Sequence, residues 1–336
     1  MSEALGTLDA PVLVLADLDG TRPTDPALEL VAAARTLTGG GGDVVALTLG
    51  PVEAEASAAL AAAGANRLLV ADLGGERAQA AAGADAVVAA VHEVAPGAVL
   101  VSSDYRGKET AGRAAVLLDS ACVSDVADLR VVDGALHADR LVLSGSWSTT
   151  MSANAHTVHP PILAVRPGSV EVPDASVDDA APLPAVALEV AVSREAAAVR
   201  LVSRESTAAA AGPDLAGART VVVGGRGVDG DFDLVRSLAD PLDAAVGATR
   251  VACDEGWIER SAQIGQTGVS VAPRLYIGLG VSGAVHHTSG IQGAGTIVAV
   301  CDDSEAPIFE MADFGVVGDV TEVVPQLVAE LADLRG

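Results

Sequence analysis

Short apolar runs alternate with alanine-rich stretches along most of the chain, and this rhythm restricts the fold more than any other feature. Val12–Ala16, Val44–Leu49, Arg67–Val70 and Ala98–Ser102 each read as a short strand buried on both faces. Pro26–Leu37 and the stretches at about 53–63 and 76–91 read as the helices between them. Strands separated by helices imply a parallel sheet with helices on both faces. Around Val131–Leu143 the pattern changes to short alternating segments, VVDGAL and RLVLSG, which suit antiparallel hairpins.

A Pro-, Asp- and Ala-rich passage at 167–185 has no periodicity and marks a linker or surface crossing. The stretch AVALEVAVS near 185–193 reads as a strand closing the first region. Alternation then resumes, with strands expected at Arg219–Gly224, Leu275–Val281, Thr296–Val300 and Gly315–Val317. Asp231–Val246 reads as a helix, although Pro241 inside it should kink or break it at ~3 kcal/mol. Val320–Leu334 reads as the last helix. The expected class is therefore α/β with two domains, 1–190 and 191–336, joined through a linker region at about 167–218. A length of 336 residues accommodates both.

Composition excludes several functions. The 45 acidic and 20 basic residues leave a formal charge of −25, which repels nucleic acid and anionic lipid. Lys108 is the only lysine. Cys122, Cys253 and Cys301 are far apart and show no CxxC spacing, so neither a disulfide framework nor a thiolate metal site is expected. No apolar run is long enough to span a membrane. The opening MSEALGTLDAP lacks the features of a signal or transit peptide, so the cytoplasm is the expected location.

Several motifs bear on chemistry. Asp17-Leu18-Asp19-Gly20-Thr21 follows the first strand and resembles the first motif of haloacid-dehalogenase phosphatases, whose two aspartates act as nucleophile and acid/base. Ser102, Lys108 and Asp302-Asp303 are the other parts such a site would recruit. Lys108 lies too near Ser102 in sequence, however, and Asp302-Asp303 falls in the other domain. An acidic loop at a strand end is the plainer reading. His156 and His159 flank Pro160-Pro161 and read as solvent-facing loop residues, not metal ligands. A different signal stands at 275–287, where an apolar strand runs into Ser282-Gly283-Ala284-Val285-His286-His287. A strand, a sharp Ser-Gly turn and a helix start gather free backbone N–H groups where a pyrophosphate could bind. Arg226 in Gly224-Gly225-Arg226-Gly227 and Arg250 after Thr249 add cations to a region poor in them.

Taken with GGRG (224–227), AAVGATR (244–250), QIGQTG (263–268), VAPRLYIGLGVSGAVHH (271–287), GTIVAVCDD (295–303) and EAPIFEMADFGVVGD (305–319), residues 219–334 resemble the FAD-binding domain of the electron transfer flavoprotein α subunit. The order and spacing of all six stretches agree with that family. The first half resembles the family's nucleotide-hydrolase-like α/β domain, with weaker anchors at LVLAD (13–17) and AAVLLDSACVSDVADL (114–129). The C-terminal half is then expected to be doubly wound.

The resemblance implies FAD as cofactor and no catalytic residues of the chain's own. It further implies a β-subunit partner that carries AMP or a second flavin. Donors would be flavoprotein dehydrogenases such as acyl-CoA dehydrogenases, and the acceptor a protein such as a membrane quinone oxidoreductase. Arg226 and the turn Ser282, Gly283, Ala284, Val285, His286 and His287 would hold the pyrophosphate and its surroundings. Thr249 and Arg250 would lie against the isoalloxazine ring, with Ile264, Gly265, Gln266 and Thr267 around its N5/O4 edge. His287 would address the O2/N1 side and aid Arg250, while Asp319 and Val320 would receive the adenosine end. A guanidinium ~4 Å from the ring, at an effective dielectric of ~20, would stabilise added negative charge by ~4 kcal/mol. The plainer readings are a surface ion pair with Asp254 for Arg250, a plain turn for Gln266 and Thr267, and a helix N-cap for Asp319. Cys301 replaces a common Asn that touches the adenosine portion, and His286 replaces a common Gln. The loop after Arg226 is shorter than usual.

Overall fold

The structure is a computed structural model and describes residues 6–74, 79–142, 147–173, 180–203, 213, 215 and 217–335. The chain forms two compact units, one of Met1–Val142 with Ser148–Glu205, the other of Leu143–Trp147 with Ser206–Gly336.

The first unit opens with β1 (Val12–Leu15), a hairpin of β2 (Leu18–Asp19) and β3 (Arg22–Pro23), and α1 (Asp25–Leu37). Next come β4 (Val44–Thr48), α2 (Ala54–Ala63), β5 (Arg67–Val70), α3 (Ala80–Val94), β6 (Ala98–Ser102) and α4 (Tyr105–Leu117). It continues through β7 (Cys122–Val132), β8 (Ala135–Val142), β9 (Trp147–Asn154), β10 (Ile162–Val165), β11 (Ala185–Ala187) and α5 (Arg194–Ala197). Apart from β2 and β3, which pair with each other, these strands form one sheet in the order β11-β5-β4-β1-β6-β10-β7-β8-β9. Alternation along β1 divides the core: Val12 and Val14 pack with Leu30 and Val31 of α1, while Leu13 and Leu15 pack with Val87 and Val91 of α3. The parallel sheet, the antiparallel pairing of β7 with β8, and β11 as the closing strand all match the sequence pattern. The sequence reading did not anticipate β10, which inserts between β6 and β7. Residues 76–78 of the third expected helix, and 143–145 of the expected RLVLSG strand, lie outside the described residues, as do 174–179 and 204–212 of the linker region. The Ser193 N–H donates to Asp85 of α3 at 2.7 Å, which ties the start of α5 down.

The second unit is built from β12 (Thr220–Gly224), α6 (Phe232–Ala239), β13 (Ala245–Ala248), α7 (Arg250–Asp254) and β14 (Leu275–Leu279). It ends with α8 (Val285–Thr288), β15 (Thr296–Cys301), β16 (Phe314–Val317) and α9 (Val320–Arg335). All five strands are parallel, in the order β13-β12-β14-β15-β16. One face carries Val222, Ile277 and Leu279 against Phe232, Val235 and Leu238 of α6 and Val324 of α9. The other packs Val221, Val223 and Tyr276 against Ile264, Ile291 and Ile308. The helix expected over Asp231–Val246 stops at Ala239 instead. Pro241 has no N–H to continue the ladder, and the chain turns through a 3₁₀ segment at Asp240–Leu242 to Asp243 at φ 48. Val246 then belongs to β13 and sits opposite Val222.

Candidate functional site

From β12 the chain crosses to β13 on one side, and then to β14 on the other, so the carboxyl ends of β12 and β14 flank a topological switch point. Loops diverge there and leave a crevice. A cavity of about 500 Å³ occupies it. Its wall comes from the loops after four adjacent strands: Arg226 and Gly227 after β12, Thr249 to Val251 and Asp254 after β13, Gly280 to Ala284 after β14, and Cys301 to Asp303 after β15.

Glycines let these loops close on one another. Gly280 is held at φ +61, and a Cβ there would meet Gly227 backbone at 2.5 Å. The Gly227 N–H donates to the Gly280 carbonyl at 3.0 Å. Beyond this interlock, the turn from Ser282 to His286 donates no backbone N–H to any described residue. Such a row of free donors is a ready anion site. Because α8 has only four residues, these N–H groups and not a helix macrodipole supply the attraction.

Two side chains beside the turn lack partners of their own. Arg226 forms no ion pair or side-chain hydrogen bond among the described residues. The Thr249 hydroxyl is buried with no partner, at the point where β13 opens into the cavity. A buried hydroxyl left in this state calls for a partner, which a bound ligand or a water can supply. The free N–H row and Arg226 suit an anionic group, and the Thr249 hydroxyl suits a hydrogen-bonding one.

Arg250 lines the cavity, and its Nε donates to Asp254 Oδ2 at 3.1 Å, the i,i+4 pair that was the plainer expectation. His286 is exposed, and its Nδ1 lies 2.7 Å from Gln266 Oε1. His287 is buried, with Nε2 2.8 Å from the Tyr276 hydroxyl and Nδ1 3.1 Å from the Ile264 carbonyl. Burial pushes the His287 pKa down to about 4, which favours the neutral ring.

Of the residues expected at the site, Arg226, Thr249, Arg250, Ser282, Gly283, Ala284, His286, His287 and Cys301 line the cavity. Ile264 and Gly265 stand behind the wall: a Cβ at Gly265 would meet the His286 carbonyl at 2.3 Å. Gln263 donates to the Thr267 hydroxyl at 2.9 Å, so Thr267 is engaged within its own turn, whereas Gln266 is tied by side chain and backbone to His286. Val285 is exposed, Val320 packs in the α6–α9 core, and the Asp319 carboxylate accepts from the Thr321 N–H at 2.8 Å as a helix cap. The sequence reading gave Gly280, Asp302 and Asp303 no part here. The signal for the two aspartates was their place directly after a parallel strand, where crevice residues gather.

In the first unit, Asp17 pairs with Arg106, Asp19 is exposed in the β2–β3 hairpin, and Lys108 is taken by Asp125 at 2.6 Å. Asp17 and Lys108 are thus each held by another partner, and nothing among the described residues supports the phosphatase reading.

The family model described as "Electron transfer flavoprotein domain" matches residues 12–193, and that described as "Electron transfer flavoprotein FAD-binding domain" matches 214–292. The chain is 39% identical over 313 residues to electron transfer flavoprotein subunit alpha of Mycobacterium leprae, covering 92% of this chain and 94% of that protein. It is 39% identical over 333 residues to the Mycobacterium tuberculosis protein of the same name, covering 97% and 100%. The Bacillus subtilis protein of that name is 32% identical over 329 residues, covering 96% and 98%.

Proposed function

Because the chain belongs to the electron transfer flavoprotein α-subunit family, we propose that it carries electrons from flavoprotein dehydrogenases to an acceptor such as a quinone oxidoreductase. It does so as one half of a heterodimer with a β subunit, whose own nucleotide is AMP or a second flavin. Acyl-CoA dehydrogenases are the donors proposed.

FAD, the cofactor of the matched domain, supplies reversible one- and two-electron chemistry when bound. The residues here bind it, orient it and set its charge environment. The order of the strands suggests how. The loops after β12 and β14 occupy the middle of the crevice, and there the 282–286 N–H groups and Arg226 would hold the pyrophosphate. Thr249 and Arg250, after β13, would serve the ring at one side. Asp302 and Asp303, after β15, offer carboxylate oxygens to ribose hydroxyls at the other, with Asp319 farther out after β16. The Thr249 hydroxyl and Arg226, on the wall of one cavity and both without side-chain partners among the described residues, are the observation that carries this reading.

Arg250 would favour negative charge on the ring, tempered by its pairing with Asp254. Co-purification with a β subunit followed by a redox titration tests this. The heterodimer should be yellow with one FAD in this chain, and Arg250→Ala should lower its potential. A colourless heterodimer, or a potential indifferent to Arg250, would overturn the reading.

A further inference from the structure

The adjacent histidines of the cavity wall are held in different ways. His286 projects from an exposed position, and its ring Nδ1 meets the Gln266 amide oxygen. His287 is enclosed, with both ring nitrogens occupied by other parts of the same unit. The Ile264 carbonyl can only accept, so His287 Nδ1 must carry a hydrogen. The neutral ring then presents Nε2 as an acceptor, and the Tyr276 hydroxyl donates to it.

Tyr276 is itself fully buried on β14, and His287 is the hydrogen-bond partner of its hydroxyl. The residue two places along the same strand face is Gly278, where a Cβ would stand 3.0 Å from Tyr276 Cε1 and 3.1 Å from its hydroxyl. The missing side chain leaves the phenol room to lie along the strand and reach the histidine. Around the ring, the sheet contributes the apolar neighbours Val221, Val223 and Ile297.

We propose that Tyr276 is a positioning residue acting through His287: its hydroxyl fills Nε2 and, with the Ile264 carbonyl on Nδ1, fixes the imidazole uncharged and in one orientation at the cavity wall. The charged and titratable groups that share that wall are His286, Arg226, Arg250, Asp254, Asp302 and Asp303. The positive field offered to a bound flavin therefore comes from the two arginines and the free N–H row, not from His287. Burial acts in the same direction, since it pushes the His287 pKa down to about 4. The consequence for the flavin rests on the function proposed above; the state of the histidine does not.

The experiment uses the full chain labelled with ¹⁵N-histidine, with the His287 signal identified by its loss in His287→Gln. In the unsubstituted chain, long-range ¹H–¹⁵N spectra should show a neutral, Nδ1-protonated His287 from pH 8 down to 5. In Tyr276→Phe, proton binding by His287 should tighten by about tenfold or more, because the donor opposing protonation is gone. A His287 that carries its hydrogen on Nε2, titrates above pH 6, or ignores the loss of the hydroxyl overturns the proposal. The unsubstituted spectrum decides the tautomer even if the Phe variant does not fold. A second measurement follows the flavin potential of the heterodimer from pH 5 to 8. Tyr276→Phe should change its pH dependence, and the change should vanish in the His287→Gln background. If it persists there, the effect is loosened packing and the proposal falls. The spectra need no flavin, so a failure to bind FAD would sink the proposed function and leave this inference readable.

Discussion

Gly283 lies so close to Ile308 that a Cβ on it would stand 2.2 Å from the Ile308 backbone nitrogen. The Ile308 N–H donates to the Ser282 carbonyl at 3.1 Å, and Gly283 holds φ +85. This backbone contact anchors the turn whose N–H groups remain free. Gly283→Ala brings both a clash with backbone and an unfavourable φ, and should cost on the order of 1–3 kcal/mol. FAD affinity should fall by about tenfold or more. Thermal unfolding and a fluorescence titration with FAD measure the two effects.

Arg226 should behave differently. It is exposed and unpaired among the described residues, so Arg226→Ala should change stability by less than about 0.5 kcal/mol. A charge-assisted hydrogen bond to phosphate is worth about 1.5–3 kcal/mol, so FAD affinity should fall by about 10- to 100-fold. The same titration, set beside an unchanged melting temperature, separates binding from folding.

Asp254 accepts from Arg250 at 3.1 Å and from Arg260 at 3.5 Å, with all three side chains substantially exposed. Surface pairs of this kind are worth at most about 1 kcal/mol, so Asp254→Asn should hardly affect the fold. It should release Arg250 and raise the flavin potential, as read by redox titration. A lowered potential would speak against Arg250 facing the ring.

His287 and Asp17 should respond to acid with opposite signs, while Asp125 and Asp139, whose carboxyls are held below the ordinary range by Lys108 and Arg130, act in the first unit against Asp17. His287 has a folded pKa of about 4 against an ordinary 6.5, so the folded state binds fewer protons in that window. The second unit should thus lose stability, on the order of 3 kcal/mol, as pH falls from about 6.5 to 4, and His287→Gln should remove that loss. Asp17 is raised to about 6 because burial outweighs the pull of Arg106. Its contribution is fully present below the ordinary 3.8 and fades as pH rises through 6, by an amount on the order of 2–3 kcal/mol. Asp17→Asn should flatten this trend. Hydrogen exchange resolved by unit checks both signs.

Strands with β-branched runs, such as Val12–Leu15 and Thr220–Gly224, were legible in the sequence because burial on both faces requires continuous apolar residues. β13 was not. Ala245–Ala248 is short and small, and the helical period of Asp231–Ala239 extends formally to Val246 unless Pro241 is given full weight. β10 was hidden behind Pro160-Pro161 in a loop pattern. At the site, Arg226, Thr249 and the Ser282–His287 turn could be read from motif and position. The Tyr276–His287 bond and the Gly283–Ile308 contact could not, because each depends on how separate loops meet at the sheet edge. The capping by Asp319 and the Arg250–Asp254 pair were readable from spacing alone, and both form.

Crystallography of this chain with its β subunit and FAD tests the central claim most directly. The pyrophosphate should rest on the 282–286 N–H groups with Arg226 beside it, and the Thr249 hydroxyl should bond to the ring. A flavin bound elsewhere, with the β12/β14 crevice filled by side chains, would contradict the account.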